Sequence, residues 1–314
     1  LLKIEDNTPE SFKTGLDAIS GYPMNMVVPA GIYFDDEAEE NTKSYVSDLA
    51  EFCDKHHDCI GIMGVTPFSR QELEAELETE LQSEYGDQFP EWRKQFAWKE
   101  FIARKVKEKA LSLISSPKLS YLSSIGSFIN VVFSTVYCFN GTRETSGHTL
   151  YAGLLSNIYP GLSPVNKTLP GAEEILFDAA EIYTEDGQSI RDVLDKSGFV
   201  TFSKFVKAGI APASATTMAT KKGLKNVHNV RVIQDISWYI RMIGEELIGE
   251  PLYRKTQVLD SQIREYLAAY TSVGILRSYD MFINVSTSDI EVNIDLDFID
   301  TVKVQNITIK LPSL

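Results

Sequence analysis

Between residues 53 and 59 the chain reads CDKHHDC, which crowds the thiols of Cys53 and Cys59, the imidazoles of His56 and His57 and the carboxylates of Asp54 and Asp58 into one short stretch. Sulfur and imidazole donors at this density are the chemistry of a zinc site. Their spacing matches no known ligand knuckle, and Cys59 opens an apolar run in which a cysteine points inward as a small hydrophobe. The acidic residues Asp35, Asp36, Glu37, Glu39 and Glu40 offer a second possible cation site. Carboxylates in a loop ahead of a helix more commonly serve solvation and complement the helix dipole. Gly61 and Gly64 stand beside a strand like a fragment of a dinucleotide loop, yet Thr66 and Pro67 follow where a helix N-terminus should cradle phosphate. His148 has no evident Ser or Cys nucleophile nearby in the sequence and reads as a surface or packing histidine. The chain contains no GxxxxGK[ST], HExxH, GxSxG or EF-hand loop. We therefore expect no catalytic, metal or cofactor-binding residues, and a role other than catalysis.

Bulk properties narrow the classes further. The chain has 314 residues, 43% of them hydrophobic and 24% charged, which suits one large or two ordinary globular domains. A formal net charge of -14 argues against nucleic acid or an anionic membrane as partner, because a phosphate-binding face needs a positive field. Three cysteines form an odd set better suited to a reducing compartment than to a disulfide scaffold. No run approaches the roughly 20 apolar residues of a membrane span, and the opening LLKIEDNTPE lacks a signal-peptide pattern. With Leu1 in place of an initiator Met, we expect a fragment of a longer protein.

The elements that must position these residues follow from periodicity. Residues 24–37 read as an extended segment ending in an acidic turn, residues 43–55 as a helix, and CIGIMGV as a strand buried on both faces, giving a β-α-β opening. Residues 69–116 are helical, broken at Gly86 and Pro90. The second half of that stretch sets Phe101, Ile102, Lys105, Val106 and Lys109 at helical spacing, with one apolar and one cationic side, and is read as a surface helix. SFINVVFSTVYCF (127–139) is the best buried strand, expected centrally in a sheet. A helix over 145–158 precedes the Pro-rich excursion YPGLSPVNKTLPG, a possible hinge, and a short helix stopped by Gly198 precedes two strands with a turn. Helices from Val230 to Gly249 and from Lys255 to Val273, the second closed by Gly274, should pack as a pair. The final segments YDMFINV, IEVNIDLDF and VKVQNITIKL alternate apolar and polar residues, as half-exposed antiparallel strands do. Tyr279, Met281, Ile283 and Val285 share one face. In the last strand Val302 and Val304 fall out of phase with Ile307, Ile309 and Leu311, which predicts a bulge or a strand exchange.

This order of segments resembles the contractile tail sheath proteins of bacteriophages over most of residues 20–314. NVRVIQDISWYIRMIGEELIGEPLYRKTQVLDSQIREYLAAYTSVGILRSYDMFINV looks like the paired helices and following strand of that family, with Arg231, Gly274 and Tyr279 at typical places. IEVNIDLDFIDTVKVQNITIKL resembles its two closing strands, and SGHTLYAGLLSNIYPGLSPVNKTLPGAEEI its small-residue helix and Pro-Asn turn, here Pro164 and Asn166. RDVLDKSGFVTFSKFVKAGIAPASATTMA resembles the next stretch, with its Thr-rich end. The chain departs from many relatives at Gly249, Glu250, Pro251 and Leu252, where they carry Phe-Glu-Pro-Asn, and in its long 69–116 insertion. They set the subfamily apart, and a giant phage of the phiKZ type is the suspected source. The resemblance implies an α/β fold, α+β in its C-terminal part: a mixed sheet flanked by helices, plus a C-terminal antiparallel sheet on two long helices. It implies a lead-in arm or linker over 1–20, a middle domain over 21–225 and a C-terminal domain over 226–314. It also implies a helical homopolymer around a tail tube protein, with baseplate and tail terminator proteins as further partners, assembled in the host cytoplasm. Val302, Val304, Ile307, Ile309 and Leu311 are the expected inter-subunit strand, and Arg264 and Glu265 the expected tube-facing pair. The rivals are the sheath of a tailocin or bacterial injection system, and a doubly wound α/β enzyme.

Overall fold

The computed structural model describes residues 8–22, 24–35, 45–56, 59–86, 91–139, 141, 143–286, 289–299 and 304–312. Residues 36–40, with four of the five acidic candidates, and His57, Asp58 and Val302 lie outside the described residues. The first described residues form helix α1 (Pro9–Ile19), capped by the Thr8 hydroxyl, which accepts from the Ser11 N–H. It buries Phe12 and Leu16, and the Phe12 ring meets Tyr45 edge-on at 5.5 Å. Strand β1 (Met26–Val27), helix α2 (Tyr45–His56) and strand β2 (Ile60–Gly64) follow, with β1 and β2 parallel, so the β-α-β opening is present.

The long insertion is a helical hairpin of α3 (Arg70–Tyr85) and α4 (Glu91–Ile114). In α3 only Leu73, Leu77 and Leu81 are buried, one per turn, and α4 buries Phe101, Ile102, Val106 and Ala110. Part of the cationic side of α4 is taken up by α3's glutamates, with Lys94 paired to Glu78, Lys105 to Glu76 and Arg104 to Glu80, while Lys99 and Lys107 pair with Glu181 and Glu185. Lys109 departs from this set and holds Asp35 at 3.0 Å and the Thr66 carbonyl at 2.7 Å, tying the hairpin to the body. A helix that the periodicity did not predict, α5 (Pro117–Ile125), starts at Pro117 behind its Ser116 cap.

The single strand expected over 127–139 is two, β3 (Ile129–Val132) and β4 (Val136–Cys138). Between them the Ser134 hydroxyl accepts from the Phe202 N–H at 3.0 Å and the Thr135 hydroxyl from the Phe68 N–H at 2.9 Å. These polar groups satisfy neighbouring loops, so the chain leaves one sheet and enters another. β3 is an inner strand of a parallel sheet ordered β1-β2-β3-β7, where β7 is Phe199–Val200. β4 is the middle of a small antiparallel sheet with β5 (Arg143–Thr145) and β6 (Glu174–Ile175). The middle part is thus the expected α/β arrangement of strands flanked by helices, with its antiparallel strands in a small sheet of their own. Helices α2 and α6 (His148–Asn157) both pack on β2, and α7 (Ile190–Lys196) packs on β7. A hairpin of β8 (Phe202–Phe205) and β9 (Gly209–Pro212) completes the middle part, with the Pro-rich excursion bonded to it through Leu169 N–H and Ile210 O at 2.8 Å.

Two long helices follow, α8 (Val227–Glu246) and α9 (Leu252–Ser272), packed on each other. The chain closes in an antiparallel sheet of β10 (Leu276–Val285), β11 (Asp289–Phe298) and β12 (Val304–Pro312) in that order. No described helix is long and apolar enough to cross a membrane.

Burial and charge make separable contributions to the insertion. Leu77→Ala should lower stability by about 2–4 kcal/mol, because it opens a cavity in the seam. Lys105→Glu should cost only about 1 kcal/mol, because its ion pair is open to solvent on the Glu76 side. Chemical denaturation of both variants checks the ordering, and an equal loss in the two would contradict it.

Candidate assembly surface

The C-terminal sheet is built on β11, whose sequence DIEVNIDLDF alternates strictly. Ile290, Val292, Ile294, Leu296 and Phe298 are all 2% exposed or less, and Glu291, Asn293, Asp295 and Asp297 take the other phase. On β10, Tyr279, Met281 and Ile283 stand opposite Leu296, Ile294 and Val292 in the same phase, with Met281 buried and the other two half-buried. Val285 shares the register but is exposed at the strand end. Beneath the sheet α9 buries Leu259, Ile263, Leu267 and Tyr270, while α8 reaches β12.

The four described residues of the expected inter-subunit strand lie in β12. Leu311, Ile309, Ile307 and Val304 are paired with Ile290, Val292, Ile294 and Leu296 of the same chain. The register shifts between Asp295 and Leu296, where Gln305 is the extra residue. That bulge corrects the phase slip seen in the sequence, because it returns Val304 to the register positions of the apolar face. Among the described residues β10 and β12 form the two edges of this sheet.

A groove runs between the β10 edge and α9, lined by Thr256, Asp260, Arg264 and Phe282 among others. Arg264 bonds both carboxylate oxygens of Asp260 at 3.0 Å, and its Nη2 lies 3.4 Å from the Met281 carbonyl on the edge strand. Glu265 beside it is exposed. Phe282, 63% exposed, sits in the polar phase of β10, and that out-of-phase aromatic is the sequence signal for this groove. Asp280 and Asp295 are directly opposite on the outer face, a like-charge pairing that opposes the sheet.

Behind α9 lies a polar knot that sequence reasoning missed. The Tyr266 and Tyr270 hydroxyls both donate to Asp235 of α8, the second at 2.5 Å, and Tyr239 stacks on Tyr266 at 3.9 Å. Burial, followed by the bond to the Asp235 carboxylate, pushes both phenols above their ordinary range. Arg231 is buried one turn away and donates to the Ile158 carbonyl at 2.8 Å, and burial pulls its guanidinium down from the usual value.

The chemical candidates are placed as packing groups. Cys53 and Cys59 are fully buried with their sulfurs 3.7 Å apart, and His56 lies against Phe52. Among the described residues no three His, Cys, Asp or Glu side chains gather around a common point. Asp35 accepts from the Thr66 N–H at 2.7 Å and pairs with Lys109. A Cβ on Gly61 would lie 2.4 Å from Ile129 Cδ1, and one on Gly64 would lie 1.9 Å from Ser146 Oγ, so both glycines serve close packing around the sheet.

His148 corrects the sequence reading, since Ser146 lies two residues away with its Oγ 2.5 Å from His148 Nδ1. The other ring nitrogen is 3.1 Å from the Pro29 carbonyl, which can only accept, so Nε2 carries the hydrogen and Nδ1 accepts from the serine. Both side chains are buried, and the described pockets are lined by other residues. Burial holds the imidazole below its ordinary 6.5, so the unfolded chain takes up a proton that the folded one resists. The stability tied to this site is therefore complete above about pH 6.5 and is lost as pH falls below it. His148→Gln should flatten that acid limb in thermal melts taken between pH 7 and pH 5, and an unchanged limb would show that the group does not contribute.

No protein-family model and no curated protein matches the sequence. Solved structures do match. A sheath tail protein from Listeria innocua aligns with 98% of this chain and 61% of its own at a TM-score of 0.61 and 11% identity. One from Desulfitobacterium hafniense aligns with 97% of this chain and 60% of its own at a TM-score of 0.60 and 10% identity. The helical sheath of the anti-feeding prophage in its contracted state aligns with 95% and 73% at a TM-score of 0.54 and 12% identity. The chain spans about 60% of the length of the two sheath tail proteins. The parallel middle sheet, the α8–α9 pair and the closing antiparallel sheet together are the fold of a sheath tail protein.

Proposed function

We propose that this chain is the structural subunit of a contractile phage tail sheath, polymerising helically around a tail tube and contracting to drive that tube through the host envelope. The observation that carries the reading is the fold match over nearly the whole chain. The C-terminal sheet supports it, because its two edge strands present backbone groups to which a neighbour's extended segment can add. In that arrangement residues 302–311 are the exchanged or augmenting strand. Pairing within one chain, as in β12, and pairing between chains use the same hydrogen bonds, so exchange needs little new chemistry. One edge meets a different edge, so the contact is heterologous, and a rotation that fails to close builds a tube.

Contraction then proceeds as a rigid-body reorientation of subunits tethered by their strands, from a metastable extended packing. No nucleotide or cofactor enters the scheme, and the partners are other copies, the tube protein, the baseplate and the tail terminator. Residues 1–20, 21–225 and 226–314 serve as lead-in, middle domain and C-terminal domain. The exposed side of α9 bearing Arg264 and Glu265 is proposed to face the tube. Particles assemble in the host cytoplasm, in a giant phage of the phiKZ type. The sheath of a tailocin or bacterial injection system is a second reading, favoured by the match to the anti-feeding prophage sheath.

Negative-stain electron microscopy of the full-length protein should show long hollow tubes, and persistent monomers in assembly buffer would overturn the reading. Deletion of 301–314 should abolish the tubes while the remaining chain still folds, with intact polymerisation refuting the strand-exchange role. Charge reversal at Arg264 and Glu265 should release tube protein from assembled sheaths by more than about 10-fold in co-sedimentation, on the scale of a few lost charge contacts.

A further inference from the structure

Two surfaces far apart in the sequence each combine exposed apolar side chains with charge, of opposite net sign. The α8–α9 turn holds out Ile248, Leu252 and Tyr253, which are 60%, 41% and 75% exposed. Gly249 makes that turn at a φ of 88°, and the exposed Glu245 and Glu246 give its rim a net negative charge, Glu250 being paired with Arg254 at 3.2 Å. Three large apolar side chains so close together on a soluble surface mark a contact rather than chance exposure. The second surface is a groove of about 700 Å³ between α4 and the β8–β9 hairpin. Trp98, Ile102 and Ala103 form one wall and Phe177 and Phe205 the other, with Val206 fully exposed at the hairpin tip. Lys99 and Lys204 stand on its lips and Lys207 is exposed at the tip; of its two carboxylates, Glu181 lies 3.8 Å from Lys99 and Asp178 accepts from the Ser203 hydroxyl at 2.8 Å.

We propose that the α8–α9 turn of one copy seats in the α4/β8–β9 groove of a second copy. The inference rests on the helical-polymer reading and names one of its contacts. An apolar knob with Glu245 and Glu246 at its rim suits an apolar groove where Lys99, Lys204 and Lys207 outnumber Asp178 and Glu181, so burial supplies the attraction and the net charges the orientation. Each copy carries one knob and one groove at different places: α8 takes the knob roughly 30 Å from Val227, whose N–H is bonded to Ala215. A contact between unlike patches leaves a free knob at one end and a free groove at the other, and so propagates. Three side chains are far short of the ~1,600 Å² of a standard stable interface. The contact therefore acts within the polymer, where other contacts already hold the copies together.

The test uses full-length protein in two batches, Val206→Cys and Tyr253→Cys, both at exposed positions, with the native Cys53, Cys59 and Cys138 buried. Tubes co-assembled from the two batches and oxidised with copper–phenanthroline should give a dimer on a non-reducing gel that a reductant removes, at a yield well above either batch alone. Tubes that form without this cross-link overturn the contact and leave the sheath reading standing, whereas failure of the unmodified protein to form tubes overturns the sheath reading itself. As a second readout, Lys204→Glu should raise the critical concentration for assembly about 5-fold, and adding Glu246→Lys to the same chain should restore it. A double variant no better than the single one would overturn the charge match.

Discussion

Helix α8 has to satisfy two halves of the molecule at once, and the rest of the architecture is arranged around that demand. Every residue from Asn229 to Gln234 is buried, which no helix lying on a single surface can achieve, since consecutive residues point around the whole circumference. Apolar positions such as Val230, Ile233 and Ile236 supply the burial. The polar positions are matched to backbone acceptors: Asn229 to Gly223, Arg231 to Ile158 and Gln234 to Asn25. A buried polar group without such a partner costs on the order of 1–3 kcal/mol, so these bonds fix where α8 lies as well as whether it is stable.

From that anchor the C-terminal sheet inherits its position. Asp235 ties α8 to α9 through Tyr266 and Tyr270, and α9 in turn offers Leu259, Ile263 and Leu267 as the floor for the sheet. β11 pairs with both neighbours, and its single apolar face permits only one register, because a slip of one residue would turn Ile290, Val292, Ile294 and Leu296 to solvent. Among the described residues each outer strand is hydrogen-bonded to β11 alone within the sheet, with β10 also packed on α9 and β12 on α8.

The insertion follows a different logic. Its two helices carry opposite charge, and α3 pairs Lys94, Arg104 and Lys105 of α4 while Lys99, Lys107 and Lys109 pair with the body, so the cationic side of this run is met within the chain. What α4 leaves on its other side is the apolar wall bearing Trp98 and Ile102, which faces the β8–β9 hairpin across an open groove. The buried thiols, Gly61, Gly64 and the Ser146–His148 pair show the same principle on a smaller scale: residue types able to do chemistry are used for close packing around β2.

The sequence by itself determined the elements whose signals are local. The strict alternation of 290–298, the helical spacing over 70–114, the apolar run of β2 and the glycine stops at 198 and 274 each encode their structure in a short window, because side-chain direction follows from backbone period. Even the bulge in β12 was legible, as a change of phase between Val304 and Ile307. Tertiary structure alone decided the rest. Nothing local in SFINVVFSTVYCF says that it divides at Ser134 and Thr135, since the N–H groups that those hydroxyls accept belong to Phe202 and Phe68, far away in sequence. The meeting of Asp235 with Tyr266 and Tyr270, the contact of Arg264 with the β10 edge and the groove beside α4 likewise exist only once distant segments are packed. The physical reason is one of range: periodicity and capping act within a few residues of the chain, whereas hydrogen-bond satisfaction and shape are properties of surfaces that folding assembles.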